Sequence, residues 1–540
     1  MVFMDHSTIL ALDFKYILSK IEPLTPYGQM YKKRMKAYIE GEEENLRSSL
    51  DILESYIPYV KNNQIKREFN NVFIHIKDLR TSIKRAMEGF ILTEVELFEI
   101  KNFLFLIRDL HKLIKSNDIP LFNETEITPM EFLERLLDPE GSGINTFYIY
   151  DCYSHELKGI REKKNDVNKR LKLKRKNIKD RVADELNINI RPDNFVIISK
   201  EDKDLIKRIH DHPHMTYVSE TYMNIKFMIK PGDNIIILER EILLLKDREE
   251  REELRIRESL TKEIVKHKKA LLKNMASIGK LDLIFAKAKY AVDIDGVKPD
   301  VVDEYIMDLE EGRHPKVEEL LKEKGLNFSP ISVKLRKGVT CITGANMGGK
   351  TISLKLIGLL TAMAHFGIYV PAKSFKLGLS KYIKTSIGDM QSTDSGLSTF
   401  GGEIKVVKDA MERVDEKGLI LIDELARGTN PEEGYAISKA IVSYLMKKQA
   451  ITLLTTHYDN VANLNNVVHL QVIGLSKVDF SVLEKEINKE DKIELINKYM
   501  DYRLRVVDKD EEVPRDAINI ARIMGLNTEI VEMAERILNN

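Results

Sequence analysis

The feature that most constrains this fold is a glycine-rich stretch, GANMGGKT, at residues 344–351. A glycine, four further residues and then Gly-Lys-Thr satisfy a known phosphate-loop pattern. The apolar run VTCITG leads into the stretch and the helix-forming run TISLKLIGLL leads out of it. A strand that turns through glycines into a helix brings backbone N–H groups and the positive end of a helix together. The stretch therefore predicts an α/β fold built around a phosphate-binding loop.

Each part of this loop has an expected role. Backbone N–H groups would wrap the phosphates of a nucleotide, and Lys350 would reach the β- and γ-phosphates. Thr351 would offer its hydroxyl group to Mg²⁺. A chance match is the alternative, but the strand-then-helix context argues against it. The expected nucleotide-binding residues of the loop are Gly344, Ala345, Asn346, Met347, Gly348, Gly349, Lys350 and Thr351.

A second motif with matching chemistry follows downstream. Four apolar residues, Leu419–Ile422, lead directly into Asp423 and Glu424. Asp423 would hold Mg²⁺ and Glu424 would polarise the attacking water. The alternative is a buried strand that ends in a solvated acidic pair. The phosphate loop upstream makes the catalytic interpretation the stronger one.

A third apolar strand, ITLLTTH, ends at His457. A histidine at the end of a strand beside the acidic pair could contact the γ-phosphate or the attacking water. A core or helix-capping histidine is the alternative, and it would hold for most lone histidines. The position of His457 after a strand and two threonines favours the catalytic role.

A chain of 540 residues is too long for a single hydrophobic core. Hydrophobic periodicity predicts a helical region at residues 1–150 and long helices at 151–300 that bracket a β-rich insertion at about 191–238. Alternating strands and helices predict a parallel-sheet domain at 301–475. The remaining residues, 476–540, are expected to end in two short helices around Gly525.

The β-rich insertion is expected to hold four short strands, NFVIIS, MTYVS, IKFMI and NIIIL. Three histidines lie close together within HDHPH, His210–His214. They could suggest a metal site, but their spacing suits a loop and no cysteine pair supports them. A turn is the preferred interpretation.

Charge and cysteine content narrow the range of possible functions and cellular locations. The formal net charge is zero, so contact with nucleic acid would need a local basic face. Residues 158–181 hold twelve basic residues against three acidic ones. Such a helix could neutralise phosphates, or its charge could be paired with the acidic returning helix. Two cysteines, the lack of a signal-peptide pattern and apolar runs too short to span a bilayer predict a cytoplasmic protein.

Five segments in order resemble the MutS ATPases of the ABC class. They are EGRHP (Glu311–Pro315), TGANMGGKT, IGDMQSTDSGLSTFGGEI (Ile387–Ile404), DELARGTNPEEG and TTHY (Thr455–Tyr458). Two positions depart from the family pattern: Ala345 replaces its usual proline, and Ala426 stands where glycine is frequent. Weaker likeness upstream extends the resemblance over nearly the whole chain.

The resemblance implies a multidomain fold. A mainly helical core with long lever helices and a small clamp insertion would precede an α/β P-loop ABC-type ATPase domain with a helical C-terminal end. The family dimerises, in part through that helical end, and builds each ATP site from two chains. Lys350, Glu424 and His457 would act on ATP and Mg²⁺ in one chain, while Ser398 and Thr399 would reach the γ-phosphate bound by the partner. Phe328 could stack on the adenine or be a core aromatic.

The resemblance also implies a paralogue without the mismatch-recognition and connector domains and without the small MutS-related nuclease domain. The expected function is an ATP-dependent homodimer that clamps duplex or branched DNA in a repair or recombination role. The alternative is a MutS-like ATPase that acts on a protein partner, such as a reactivating factor for a B12-dependent aminomutase. A continuous positive surface at the clamp would favour DNA, and a mixed or apolar one would favour protein.

Overall fold

The computed structural model describes residues 2–144, 146–344, 349–388, 399–426, 429–474, 501–507 and 516–539. The chain divides into two compact units. The first comprises Met1–Ile76, Lys112–Ile127 and Met275–Asn540, and the second comprises Lys77–His111 and Thr128–Asn274. The division into four regions, expected from sequence periodicity, remains a prediction.

The N-terminal part is helical, as its periodicity predicts. Leu46, Leu50 and Leu53 recur at three- and four-residue spacing and are buried, so one face of their helix packs inward. The helices are α1 (His6–Ala11), α2 (Phe14–Lys20), α3 (Pro26–Lys33), α4 (Glu43–Lys61), α5 (Asn63–Ile74), α6 (Arg80–Met87), α7 (Glu94–Ser116) and α8 (Glu131–Leu137), and a 3-10 turn follows at Asp151–Tyr153.

The second unit contains two long helices around a small antiparallel sheet. In chain order its elements are α9 (His155–Leu186), β1 (Phe195–Ser199), α10 (Lys203–His210), β2 (Met215–Glu220), β3 (Asn224–Ile229) and α11 (Asp233–Lys266). The strand order is β1-β3-β2. Leu171 of α9 and Leu238 and Leu245 of α11 share one buried apolar cluster, so the two helices are held together by burial of aliphatic side chains.

Three of the four strands predicted in the insertion are confirmed, and the fourth is wrong. NIIIL forms the first turns of α11, where Ile235 and Leu238 lie three residues apart and are buried. A short apolar run fits either a strand or a buried helix, and here the partner helix α9 decides between them. The turn predicted at His210–His214 is confirmed, since α10 ends at His210 and β2 begins at Met215.

The long helix expected after the insertion is divided in two. α11 ends at Lys266 and α12 (Lys268–Asp293) begins two residues later. His267 is the C-cap of α11, and its N–H donates to the carbonyls of Ile264 and Val265. The sequence around the break contains neither glycine nor proline, so the usual break signals are absent there.

The C-terminal part alternates strands and helices. Its elements are β4 (Asp300–Val302), β5 (Met307–Gly312), α13 (Pro315–Glu323), β6 (Ile331–Leu335), β7 (Gly338–Thr343), α14 (Lys350–His365), β8 (Ser374–Gly378), β9 (Tyr382–Ser386), α15 (Thr399–Met411), β10 (Gly418–Ile422), α16 (Pro431–Leu445), β11 (Ile451–Thr455), α17 (Asp459–Ala462), β12 (Val468–Gly474), β13 (Asp501–Val506), α18 (Asp516–Ile523) and α19 (Thr528–Asn539). The predicted parallel sheet and the two helices around Gly525 are both confirmed.

Two sheets organise this part. The larger has the order β13-β12-β7-β11-β10-β9, in which only the edge strand β13 runs antiparallel to its neighbour. The smaller is mixed and has the order β4-β8-β5-β6. Helices α14 and α16 pack on the central strands of the larger sheet, whose apolar side chains need such cover. No helix in the described part of the chain is long and apolar enough to cross a membrane.

Helix α14 is buried almost all round against the larger sheet and the N-terminal helices. A Cβ on its Gly358 would lie 2.5 Å from both Leu12 of the α1–α2 connection and Leu421 of β10. Only glycine allows so close an approach. The helix that follows the glycine-rich loop is therefore fixed in the core of the first unit.

Candidate functional site

Three neighbouring parallel strands bring the predicted site residues to one edge of the larger sheet. β7 pairs with β11 and β11 pairs with β10, and Leu454 of β11 lies beside both Cys341 and Ile422. The carboxyl ends of parallel strands meet at the same edge. Gly344 lies in the loop after β7, His457 in the loop after β11 and Asp423 in the loop after β10.

The two ends of the glycine-rich loop have the backbone conformation that only glycine adopts easily. Gly344 has φ of 125° and Gly349 has φ of 78°. Lys350 begins α14, is 3% exposed, and its Nζ donates to the carbonyl of Gly344 at 2.6 Å. Ala345, Asn346, Met347 and Gly348 lie outside the described residues.

Asp423 is held by two threonine hydroxyl groups. Thr351 Oγ1 donates to Asp423 Oδ2 at 2.7 Å, and Thr455 Oγ1 donates to Asp423 Oδ1 at 2.7 Å. The same Thr455 oxygen accepts from the N–H of Glu424 at 2.7 Å. The hydroxyl of Thr455 therefore fixes the side chain of one acidic residue and the backbone of the next.

Glu424 and His457 form the second half of the site. The Nε2–H of His457 donates to Glu424 Oε1 at 3.0 Å. The Glu424 side chain is 16% exposed and that of His457 is 42% exposed. Glu424 has φ of 50°, a left-handed conformation that is costly for a residue with a side chain. The loop after β10 thus holds a carboxylate at the solvent edge of the sheet, where water can reach it.

These residues fit a nucleotide with Mg²⁺. Thr351 and Asp423 supply a hydroxyl and a carboxylate oxygen at hydrogen-bond distance from each other, which is the oxygen chemistry that Mg²⁺ prefers. The buried Lys350 stands at the N-terminus of a helix of 16 residues, and such an end favours anions. The site can therefore bind phosphate and metal next to a carboxylate.

Two contacting residues had no assigned role in the sequence. Thr455 belongs to the TTH motif, which directed attention only to its histidine. Tyr502 of β13 packs on the loop, since a Cβ on Gly349 would lie 2.8 Å from its Cδ1 atom. No pattern in the sequence links Tyr502 to the loop, because that contact depends on β13 joining the sheet beside β12.

The remaining candidates are not tested by the described residues. Ser398 lies outside the described residues, and Thr399 begins α15. Phe328 is half-buried in the connection between α13 and β6. Its role as an adenine contact remains a prediction, as does the reach of Ser398 and Thr399 into a partner's site.

Part of the basic charge on α9 is paired with α11. Arg161 contacts Glu249 at 3.0 Å and Glu253 at 2.7 Å. Lys163, Lys164 and Arg175 also contact acidic residues of α11. Seven exposed lysine and arginine residues of α9 make no ion pair within the described part of the chain: Lys158, Lys169, Arg170, Lys172, Lys174, Lys176 and Arg181. The interpretation as paired charge is therefore confirmed for part of α9, and contact of the remaining basic residues with phosphates stays a prediction.

The described residues contain no group of histidine, cysteine and acidic side chains that could hold a metal ion by themselves. The candidate Mg²⁺ ligands, Thr351 and Asp423, are of a different kind, because a bound nucleotide would supply further oxygens. At HDHPH, His212 Nε2 contacts Glu185 of α9 at 2.9 Å, which ties the turn to that helix.

Comparison with known proteins supports the site. Residues 340–540 match the family model described as MutS domain V. This match spans the glycine-rich loop, Asp423, Glu424 and His457. It therefore covers every residue that the structure brings together at the edge of the sheet.

Relatives cover more of the chain. It is 28% identical to "Endonuclease MutS2" of Caldanaerobacter subterraneus subsp. tengcongensis over 98% of the chain and 64% of that protein. It is 32% identical to the protein of that name from Geobacillus sp. over 71% of the chain and 49% of that protein. It is 28% identical to the protein of that name from Finegoldia magna over 99% of the chain and 65% of that protein.

The chain spans about half to two thirds of the length of these curated relatives. Four of the five motif segments lie within residues 340–540, and the similarity to the relatives extends over the upstream helices. Residues 340–540 therefore match MutS domain V, and the chain is similar to the MutS2 proteins over nearly its whole length.

Proposed function

We propose that this chain is an ATPase that hydrolyses ATP with Mg²⁺ at the edge of the larger sheet. The observation that carries the proposal is the anchoring of Asp423 between Thr351 and Thr455, with Glu424 and His457 paired beside it. A metal-holding carboxylate and a second carboxylate able to accept a proton are the two groups that such hydrolysis needs. The MutS domain V match over the same residues supports it.

The chain's own groups divide the reaction as follows. Backbone N–H groups of the loop and Lys350 bind and neutralise the phosphates. Thr351 and Asp423 would hold Mg²⁺, which withdraws charge from the phosphate oxygens when bound. Glu424 takes a proton from water, whose oxygen bonds to the γ-phosphorus as the bond to the β-phosphate oxygen breaks. ADP and phosphate leave, and His457 keeps the Glu424 carboxylate oriented.

Two substitutions separate binding from hydrolysis. Lys350→Ala should weaken ATP binding, whereas Glu424→Gln should keep ATP bound and lower turnover by at least about 100-fold. Binding can be followed with a fluorescent ATP analogue, and turnover by phosphate release with and without Mg²⁺. Turnover close to wild type in the Glu424→Gln protein would show that another group activates the water.

We further propose that α9 and the β1–β3 sheet act as a lever and clamp on duplex or branched DNA. The seven exposed lysine and arginine residues of α9 without an ion pair in the described part of the chain supply charge for phosphates. The relatives' name, endonuclease, denotes proteins that act on nucleic acid. The role would be in repair or recombination.

The salt dependence of DNA binding tests this proposal. Lys172→Ala with Lys176→Ala removes two exposed basic residues, so the slope of log affinity against log salt should fall by about two. Lys163→Ala with Lys164→Ala is the matched control, because both side chains are already paired with α11. If wild-type protein binds neither duplex nor branched DNA at low salt, the DNA role is excluded.

One observation favours a protein partner as the second candidate. The β2–β3 hairpin exposes Tyr217, Val218, Tyr222 and Met223, and apolar surface of this kind serves protein contact better than phosphate contact. A MutS-like ATPase that reactivates a B12-dependent aminomutase would use such a surface. Substituting Tyr222 and Met223 with serine should leave DNA affinity unchanged if this hairpin serves a protein.

We propose that the active form is a homodimer with ATP sites shared between chains. Helix α19 exposes Ile530, Met533 and Ile537 at helical spacing, so one of its faces is available for a partner. Ser398 and Thr399 would then complete the site of the other chain.

Both cysteines are free, which fits the reducing cytoplasm.

A further inference from the structure

Helix α11 is apolar on two faces. One face packs on α9 through Ile235, Leu238 and Leu245, which are buried. The other face carries large aliphatic side chains that are between 44 and 65% exposed. They are Ile236, Ile237, Leu243, Leu244 and Leu254.

The two faces point in opposite directions. At about 100° per residue, Arg240, at the middle of the exposed set, lies roughly half a turn of the helix away from the middle of the buried set. Ile236 and Leu243, like Ile237 and Leu244, are seven residues apart, the repeat that places side chains along a seam between two helices. Single exposed aliphatic residues are ordinary, whereas a continuous row of them marks a contact surface.

The charged residues on this face indicate which partner docks there. Arg240 and Asp247 are exposed and lie at equal distances on either side of the Leu243–Leu244 pair. Arg240 makes no ion pair within the described residues, and Asp247 contacts Arg251 one turn further along its own helix. If a second α11 docked antiparallel with its centre at Leu243–Leu244, Arg240 of each copy would face Asp247 of the other.

We propose that this face is where α11 of a second copy of this chain docks, antiparallel, about a two-fold axis at Leu243–Leu244. Two-fold contacts are self-complementary by symmetry. In this register Leu243 and Leu244 meet their counterparts and Arg240 meets Asp247, while Ile236 and Ile237 lie opposite the long side chains of Arg251 and Glu250, whose aliphatic stems can cover them. Nucleic acid is a poor occupant, since Glu250 and Asp247 balance Arg240 and Arg251. The proposal does not depend on the ATPase proposal.

Disulfide capture in the full-length chain tests the contact. In a Cys152→Ser background, which removes the exposed native thiol, Leu243→Cys should form a cross-linked dimer under mild oxidation because the two sulfurs would lie near the axis. Arg248→Cys is the matched control, since it is exposed on the same helix but outside the apolar row. The proposal is overturned if Leu243→Cys forms no cross-linked dimer, or if both positions cross-link equally.

Charge reversal tests the antiparallel register. Adding Arg240→Glu to the Leu243→Cys chain places like charges opposite each other twice and should slow cross-linking about five- to tenfold. Adding Asp247→Lys as well should restore the rate. If Arg240→Glu has no effect, or the second change gives no recovery, the proposed register is wrong. Circular dichroism of each variant serves as the folding control, and all of these positions are exposed.

Discussion

At the scale of single residues, Thr455 connects the two acidic residues of the site. Its hydroxyl donates to Asp423 and accepts from the N–H of Glu424, each at 2.7 Å. We expect Thr455→Val, which keeps the shape of the side chain and removes the hydroxyl, to lower ATP turnover by about 10- to 100-fold, as loss of a group that orients metal ligands typically does.

The control for Thr455 is serine, which keeps the hydroxyl group. Thr455→Ser should retain most of the turnover, and both variants should bind a nucleotide analogue without Mg²⁺ as the wild type does. The readout is phosphate release titrated with Mg²⁺, in which Thr455→Val should need more metal. Equal Mg²⁺ dependence in all three proteins would mean that Asp423 does not need this partner.

The buried ring of His365 makes two hydrogen bonds, and its burial makes the stability of the fold depend on pH. Its Nδ1–H donates to the carbonyl of Tyr38 at 2.6 Å, and its Nε2 accepts from the N–H of Ser380 at 3.3 Å. Burial lowers the pKa of His365 to about 4, and burial also lowers the pKa of His314 to about 4. Both histidines are therefore neutral in the folded chain at pH 7.

The sign of the pH dependence follows from those values. Between pH 6.5 and about 4 the unfolded chain binds a proton at each histidine that the folded chain does not. The stabilisation from the two neutral histidines should thus be fully present above pH 6.5. Below that pH the free energy of unfolding should fall by up to about 1.4 kcal/mol per pH unit for each histidine. Urea unfolding at pH 7 and pH 5 measures this fall, and His365→Gln should reduce it. An unchanged fall in that variant would assign the acid sensitivity elsewhere.

The site residues differ in how far the sequence could predict them. Lys350, Thr351, Asp423, Glu424 and His457 were predicted because their chemistry requires fixed spacing next to a strand. The structure brings all five to one edge of the sheet. Thr455 and Tyr502 act through neighbours on other strands, and a single sequence does not reveal which strands lie side by side.

At the scale of elements, helix α14 is fixed at both ends. The glycine-rich loop and Lys350 lie at its start, and Lys287 of α12 lies at its end. The Nζ of Lys287 donates to the carbonyls of Phe366 at 2.7 Å and Gly367 at 3.2 Å. A lysine at this position satisfies carbonyls that the helix leaves without partners and complements its dipole.

We expect Lys287→Met to lower the free energy of unfolding by about 1 to 3 kcal/mol, the usual range for a hydrogen bond to a charged group. Burial lowers the pKa of Lys287 to about 8, so urea unfolding at pH 7 tests the charged form. Lys280→Met is the control, because Lys280 pairs with Glu124 at the surface and such pairs contribute little. Equal losses in the two variants would show that Lys287 does not stabilise α14 specifically.

Elements were predictable where one period dominated. The central strands β7, β11 and β10 of the larger sheet are short and mostly apolar, and α9 has a clear N-cap, with Ser154 accepting from the N–H of Leu157 at 3.3 Å. NIIIL and the break at His267 were not predictable. Packing on α9 decided the conformation of NIIIL, and a local cap decided the break at His267, where the sequence holds neither glycine nor proline.

At the scale of the whole molecule, the first unit joins segments that are distant in sequence. α1 contacts β9, where Lys384 pairs with Asp5 at 2.5 Å and Thr385 donates to Thr8 at 3.3 Å. Residues 1–76 therefore share a unit with the candidate ATP site. Periodicity identifies each helix but does not show which sheet it packs on, so this grouping had to come from the structure.

The proposed sharing of ATP sites predicts complementation between two inactive chains. Lys350→Ala removes the lysine of the loop, and Ser398→Ala impairs the segment proposed to reach the partner's phosphate. In a mixed dimer, one site would combine both defects, while the other would combine an intact loop with an intact Ser398. Because half of randomly formed dimers are mixed and each holds one intact site, an equimolar mixture should recover about a quarter of wild-type turnover.

Phosphate release from separately purified chains, mixed and allowed to exchange, measures this recovery. Mixing Lys350→Ala with Glu424→Gln is the control, since both changes affect groups proposed to act within one chain; each site of that mixed dimer retains one defect, and turnover should stay low. Recovery should also fall on dilution, because the mixed dimer dissociates. If the first mixture gains nothing over the separate chains while size measurements show mixed dimers, each site is complete within one chain and the shared-site proposal is wrong.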